Sequence, residues 1–216
     1  MATLDRNDLE ALRPDGRIRL RPAALLSPVP VVLVGCRGTT EATARPNLIA
    51  IAWTGTVCSD PPLVSVSIRK SRFSHLQVTE SGEFTVNLVD ASLLRAADLC
   101  GVKSGRDVDK FALCGLQAAD SDRLRHAPTL AESPLTLECR VRSVAELGSH
   151  DQFLGEVVGV TVRPDLLGED GRLSLDRANL VGYLHGEYWS LGRCLGFFGF
   201  SVAAPAVLSR RMKGRG

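Results

Sequence analysis

Residues Asn47 to Ser74, NLIAIAWTGTVCSDPPLVSVSIRKSRFS, constrain the fold most, because two runs of strand length flank a break rich in proline. Leu48 to Trp53 is apolar enough for a buried strand. Thr54-Gly55-Thr56-Val57-Cys58-Ser59 reads as a loop with hydroxyl groups and a flexible backbone. Asp60-Pro61-Pro62 closes that loop, since proline fixes φ and brings no N–H to a ladder. From Val64 the pattern alternates: Val64, Val66 and Ile68 face one way, and Ser65, Ser67 and Arg69 the other. That second face, followed by Lys70, Ser71, Arg72 and Ser74, carries the donor types a phosphate or a ribityl chain needs. A solvated polar strand face accounts for the same residues equally well.

A chain of 216 residues fits one large domain with short extensions and can bury a substantial core. Its 44% hydrophobic and 23% charged residues are those of an ordinary globular protein. A formal net charge of +2 argues against nucleic acid or an anionic membrane as partner. Cysteines at 36, 58, 100, 114, 139 and 194 form no CxxC, and no histidine stands at finger-like spacing, so no metal site is expected. MATLDRNDLE lacks the apolar core of a signal peptide, and the apolar Phe197–Leu208 segment is too short to span a bilayer. Free thiols and a cytoplasmic location are the expectation.

Along the chain, residues 1–20 read as an arm, loose or as a short helix, 21–195 as the folded domain and 196–216 as a tail. Val31 to Gly35 is β-branched and strand-like. Ser74 to Ser81 fits a short helix with Ser74 as N-cap and Gly82 just past its end. Glu83 to Leu88 alternates as a strand, Ser92 to Cys100 is helical, and GVKSGRDVDKF is a loop leading into another short helix. Leu135 to Arg142 and Phe153 to Val162 form a long hairpin around Leu147-Gly148-Ser149-His150, and Tyr183 to Leu191 a last strand pair broken at His185-Gly186.

Many strands with a few short helices point to a mainly β architecture, a barrel decorated by helices. The chain has no GxGxxG in a βαβ setting, no GxxxxGK[ST], no HExxH and no GxSxG. Four common enzyme classes are thereby excluded, and a ligand held on a barrel surface remains.

The ordered series Pro28-x-Pro30, Asn47, AWTGTVCSDPP, VSIRKSRFSH, GEFTVNL, SGRDVDKF and GSHDQFLGEV resembles the flavin reductase-like proteins, flavoredoxins included, from about Leu26 to Gly192. The resemblance implies an FMN-binding split β-barrel of Greek-key type with a few short α-helices. It puts Trp53, Thr54, Gly55, Thr56, Val57 and Cys58 beside the isoalloxazine and ribityl chain, where Gly55 permits close backbone approach. It puts Ser67, Ile68, Arg69, Lys70 and Ser71 along the ribityl chain and phosphate. Arg69 is the first choice for the phosphate, by bidentate pairing, and Arg72 the second. Lys110 either reaches the cofactor region, as its match in relatives does, or is a solvated helix-end cation. His150, the one candidate catalytic residue, is either a solvated turn histidine or a group that stabilises charge on reduced flavin or steers nicotinamide. Cys58 reads as a small packing residue.

The implied reaction is hydride transfer from NADH or NADPH to FMN, with electrons passed to an electron-accepting protein, a monooxygenase component or free flavin, in a homodimer. The alternative is a flavoredoxin-type electron carrier without NAD(P)H activity. The sequence offers no nicotinamide fingerprint that would choose the donor.

Overall fold

The computed structural model describes residues 9–213. Its strands are β1 (Leu9–Leu12), β2 (Ile18–Leu20), β3 (Val29–Pro30), β4 (Val32–Cys36), β5 (Asn47–Ile51), β6 (Thr54–Ser59), β7 (Pro62–Arg69), β8 (Glu83–Leu88), β9 (Ala118–Ala119), β10 (Thr129–Leu130), β11 (Leu135–Glu146), β12 (His150–Val162), β13 (Val181–Leu184) and β14 (Glu187–Ser190). The helices are α1 (Phe73–Ser81), α2 (Leu94–Val102), α3 (Lys110–Cys114) and α4 (Pro205–Met212).

Seven strands form one antiparallel sheet in the order β5-β4-β8-β11-β12-β7-β6. The two edge strands, β5 and β6, are consecutive in the chain and joined by Ala52 and Trp53 alone. So short a link holds the two edges together, and the sheet must curl into a barrel. The barrel stays split, because β5 and β7 are not laddered to one another; the Ser67 amide donates instead to the Trp53 carbonyl at 2.9 Å.

Strand patterns follow from what covers each face. β4 is buried along its whole length: Val32, Val34 and Cys36 fill the barrel, while Leu33 packs outward with Leu48, Ala97 and Phe111 beneath α2 and α3. An unbroken apolar run is what such a strand needs. β7 has no helix over its outer face, so Val64, Val66 and Ile68 join the core while Ser67 and Arg69 stand outside it. The β11–β12 hairpin is the longest element pair and bends at two bulges, between Glu138 and Cys139 and between Val141 and Ser143. Phe84 crosses the barrel against Gly155, where any Cβ would collide with the ring.

Four expectations need correction. Residues 54–59 are not a loop but edge strand β6, in register with β7 from Thr54↔Val66 to Ser59↔Pro62. Pairing with β7 satisfies the backbone there, and Asp60-Pro61 becomes the hairpin turn; the first apolar run stops at Ile51. Ser74 is not an N-cap. The cap position is Arg72, without a side-chain bond, and Ser74 lies buried inside α1, accepting from Asn47 Nδ2 at 2.8 Å. Gly82 does end α1, at φ 67°. The described part of the N-terminal arm is a hairpin, β1 with β2, neither helical nor loose. His150 opens β12 opposite Arg69 and is part of the ladder, not of the turn.

Candidate functional site

The split between β5 and β7 opens into three adjoining cavities. The central one, of about 270 Å³, is lined by Ile49 to Trp53 on one wall and by Ser67, Arg69, Arg72 and His150 on the other, with Tyr183 and Tyr188 above. Through Ile49, Arg69 and Arg72 it meets a polar cavity of about 370 Å³. Through Ala52, Trp53, Ser67 and Tyr183 it meets an apolar one of about 680 Å³. One groove thus runs from a cationic end to an aromatic end.

The cationic end is built by the start of α1 and the segment between α2 and α3. Arg69, Arg72, Lys103 and Lys110 converge there with Ser71, Ser74 and Ser104, and no carboxylate lines the cavity. Arg69, Arg72 and Lys103 have no carboxylate partner among the described residues, so their charge is available to a ligand. Lys110, at 2% exposure, is not a solvated helix-end cation. Its Nζ donates to the Leu48 carbonyl at 2.6 Å and the Cys100 carbonyl at 2.8 Å, leaving one N–H unused. Burial holds its pKa below the usual lysine value, and the nearby thiols of Cys100 and Cys36 work against that. Asp109 starts α3 by accepting from the Ala112 amide at 3.0 Å, which fixes Lys110 at the helix entry.

In the centre, burial and then the neighbouring Arg69 guanidinium hold the His150 pKa below the usual histidine value. Ser149 Oγ lies 2.9 Å from its Nδ1. Tyr188 donates to Asp98 Oδ1 at 3.0 Å and is pushed up to about 12, first by burial and then by that carboxylate. It meets Tyr183 edge-on, with ring centroids 5.6 Å apart.

At the apolar end stand Trp53, half exposed at 51%, with Thr54, Gly55, Thr56 and Val57 of β6. The Thr54 hydroxyl itself is engaged, donating to the Ser65 carbonyl at 2.7 Å. Three of the sequence candidates lie off the groove lining. Ile68 is fully buried in the barrel core. Lys70 pairs with Glu146 at 2.7 Å and Asp151 at 3.3 Å. Cys58 Sγ donates to the Asp60 carbonyl at 3.3 Å, and all six cysteines are free thiols.

Sequence reading missed Tyr183, Tyr188, Lys103 and Ser104. The chain has only two tyrosines, both in one short hairpin, and that concentration was the available signal. Ser104 opens the SGRDVDKF segment, which was its available signal, whereas nothing local marked Lys103; both reach the site because α2 packs across β5. Among the described residues no cluster of three or more metal-ligating side chains occurs, and no helix is long and apolar enough to cross a membrane.

Residues 25–191 match the model of the flavin reductase like domain, and the chain belongs to that family. The flavoredoxin of Desulfovibrio vulgaris (Miyazaki F) is 32% identical and superposes with a TM-score of 0.78, over 86% of this chain and 98% of its own. An FMN-binding protein from Thermus thermophilus is 27% identical at a TM-score of 0.66, over 84% and 96%. The NADH:riboflavin 5'-phosphate oxidoreductase of Streptomyces pristinaespiralis is 30% identical over 149 residues, 67% of this chain and 78% of that one.

Proposed function

We propose that the protein holds FMN along the groove and accepts hydride on it from NADH or NADPH. The observation that carries this reading is the polarity of the groove, cationic at one end and aromatic at the other, at the seam of the barrel. The residues present fit the group. Arg69 and Arg72 are free to pair with a phosphate, the unused N–H of Lys110 adds a buried donor, and Ser67 and Ser71 offer hydroxyls to a ribityl chain. Trp53 and the β6 backbone from Thr54 to Val57 offer a flat apolar wall with polar edges. Once bound, the flavin supplies the two-electron acceptor chemistry, and the protein's task is binding, orientation and access. His150 would offer a hydrogen bond, and Arg69 opposite it a positive field, where reduced flavin gains negative charge.

The same groove serves a second reading, a flavoredoxin-type carrier that takes its electrons from a protein. The similarity to a flavoredoxin over nearly its whole length favours it. In either case the acceptor is an electron-accepting protein, a monooxygenase component or free flavin. The proposal includes a homodimer, supported by the exposed Leu195, Phe198 and Val202 beyond β14, and a reducing, cytoplasmic setting, supported by six free thiols. Visible absorption under anaerobic conditions tests it. A yellow protein bleached rapidly by NADH or NADPH is the expected result and names the donor. A protein that stays yellow supports the carrier, and one that takes up no FMN overturns both.

A further inference from the structure

Beneath the cationic cavity lies a buried hydrogen-bonded network that touches the groove only through Ser74. Asn47, Ser74 and Gln77 are each at most 2% exposed. Gln77 Nε2 lies 2.8 Å from the Thr43 carbonyl and 2.9 Å from the Arg45 carbonyl. Carbonyls only accept, so the nitrogen end of the Gln77 amide is fixed and Oε1 is left facing Asn47. An acceptor there demands a donor, which Asn47 Nδ2 supplies at 2.9 Å. The second proton of that nitrogen goes to Ser74 Oγ at 2.8 Å. Turning the Asn47 amide over would set two oxygens against each other at Gln77. The orientation is kept although it leaves Asn47 Oδ1 buried against Gly105 with no hydrogen-bond partner among the described residues. Direction thus passes from two backbone carbonyls, through two amides, to one hydroxyl.

Ser74 Oγ, already an acceptor, keeps its own proton to donate. Its other polar neighbour is Cys36, whose thiol burial pushes up to about 11, so the sulfur stays protonated and is a weak acceptor. The Cys36 thiol itself points to Gln77 Oε1 at 3.4 Å. The direction left to the Ser74 proton is the cationic cavity, whose wall Ser74 forms with Arg69, Arg72 and Lys110. We infer that Asn47 and Gln77 are positioning residues. They hold the Ser74 hydroxyl as a donor to a phosphoryl oxygen, and so set the preference of the groove for phosphorylated over unphosphorylated flavin. That the phosphoryl group belongs to a flavin rests on the FMN reading, whereas the orientation of Ser74 stands on the hydrogen bonds alone. A hydroxyl already turned outward gives its bond to an anion without first breaking another. If position 47 accepted instead, the Ser74 proton would turn inward and that bond would be lost.

Paired titrations of FMN and riboflavin on the full-length protein test this, because the two ligands differ only in the phosphate. Ser74→Ala should weaken FMN by roughly 10- to 100-fold, the loss of a hydrogen bond to a charged group, with riboflavin unchanged. Ser74→Thr, which keeps the hydroxyl, should recover most of that loss. Asn47→Asp has the shape of the parent side chain but accepts where the amide donates. Adding Ser74→Ala to it should change FMN binding by less than about twofold. Gln77→Met removes the acceptor that orients Asn47; it should shrink the Ser74→Ala effect likewise, and serves if Asn47→Asp does not fold. An Asn47 that only supports the fold would leave the Ser74→Ala effect at full size in both backgrounds. That result, or an unchanged FMN affinity in Ser74→Ala, would overturn the assignment. Ribitol 5-phosphate against ribitol, followed by the thermal midpoint, repeats the test without the ring. Ser74-dependent stabilisation by the phosphate ester in a protein that takes up no FMN would keep the positioning role and remove the flavin reading. FMN uptake indifferent to Ser74 would do the reverse, and no response to either phosphorylated ligand would overturn both.

Discussion

Arg69 stands opposite His150 at the meeting of the central and cationic cavities, with no carboxylate partner among the described residues. A guanidinium so placed gains most from a bidentate phosphate, and a charge-assisted hydrogen bond is worth about 1.5–3 kcal/mol. Arg69→Ala should therefore weaken FMN roughly 10- to 150-fold by fluorescence titration, and an unchanged affinity would take Arg69 out of the site. Cys58 is a contrasting case. Its thiol donates to the Asp60 carbonyl at the turn after β6, away from the groove lining. Cys58→Ser should leave FMN bound and reducible; turnover lost with flavin retained would make the thiol a redox partner. Residue type alone left Lys110 open between a solvated cation and a site residue. Its position beneath α2, bonded to two carbonyls from distant segments, decides for a buried one.

Among the elements, α1 and β12 are tied by the pair His75 Nε2–Asp151 Oδ2 at 2.8 Å, with Lys70 3.3 Å from the other carboxylate oxygen. Burial raises the Asp151 pKa, but the hydrogen bonds from His75 and Lys70 outweigh it and hold the carboxyl below its ordinary value. A depressed carboxylate stabilises the fold fully above the unfolded value, about pH 4, and loses that contribution as pH falls through the folded value. Asp151→Asn should thus lower the thermal midpoint at pH 7, and the gap from the parent should close on acidification below about pH 4. A gap that is constant with pH would show that the charge is irrelevant. β12 also carries Gly155, where the Phe84 ring leaves no room for a methyl. Gly155→Ala should destabilise by about 1–3 kcal/mol in urea, with the barrel intact. Runs such as Val32–Cys36 and Glu83–Leu88 were legible because each strand's pattern reports the faces it buries. β6 was not, since an edge strand with Gly and Ser in it is written like a loop until its partner is known.

At the scale of the molecule, the exposed apolar residues that follow β14 have no cover among the described residues; Leu195 is 80% exposed and Phe198 fully so. Burying them against a second copy removes apolar surface that would otherwise face water. Sedimentation should give a dimer, and Phe198→Asp combined with Leu195→Asp should shift it toward monomer with the fold unchanged by circular dichroism. A parent protein that is monomeric would refute that use of the surface.

Much of this molecule can be read from local chemistry. The alternation of β7, the unbroken run of β4, the long hairpin and the donor-rich Ser67–Arg72 segment each follow from side-chain periodicity and hydrogen-bonding capacity, which need no knowledge of distant residues. The ordered segments also placed the chain among the flavin reductase-like proteins before any geometry was known. Closure and convergence belong to the tertiary level. Only the curling of seven strands brings β5 beside β7, and only α2 packed across β5 sets Lys103 and Lys110 next to Arg69. The β13–β14 hairpin likewise carries both tyrosines over the seam from more than a hundred residues away in the chain. Such contacts depend on which faces find each other in space, and periodicity along the chain carries no record of that.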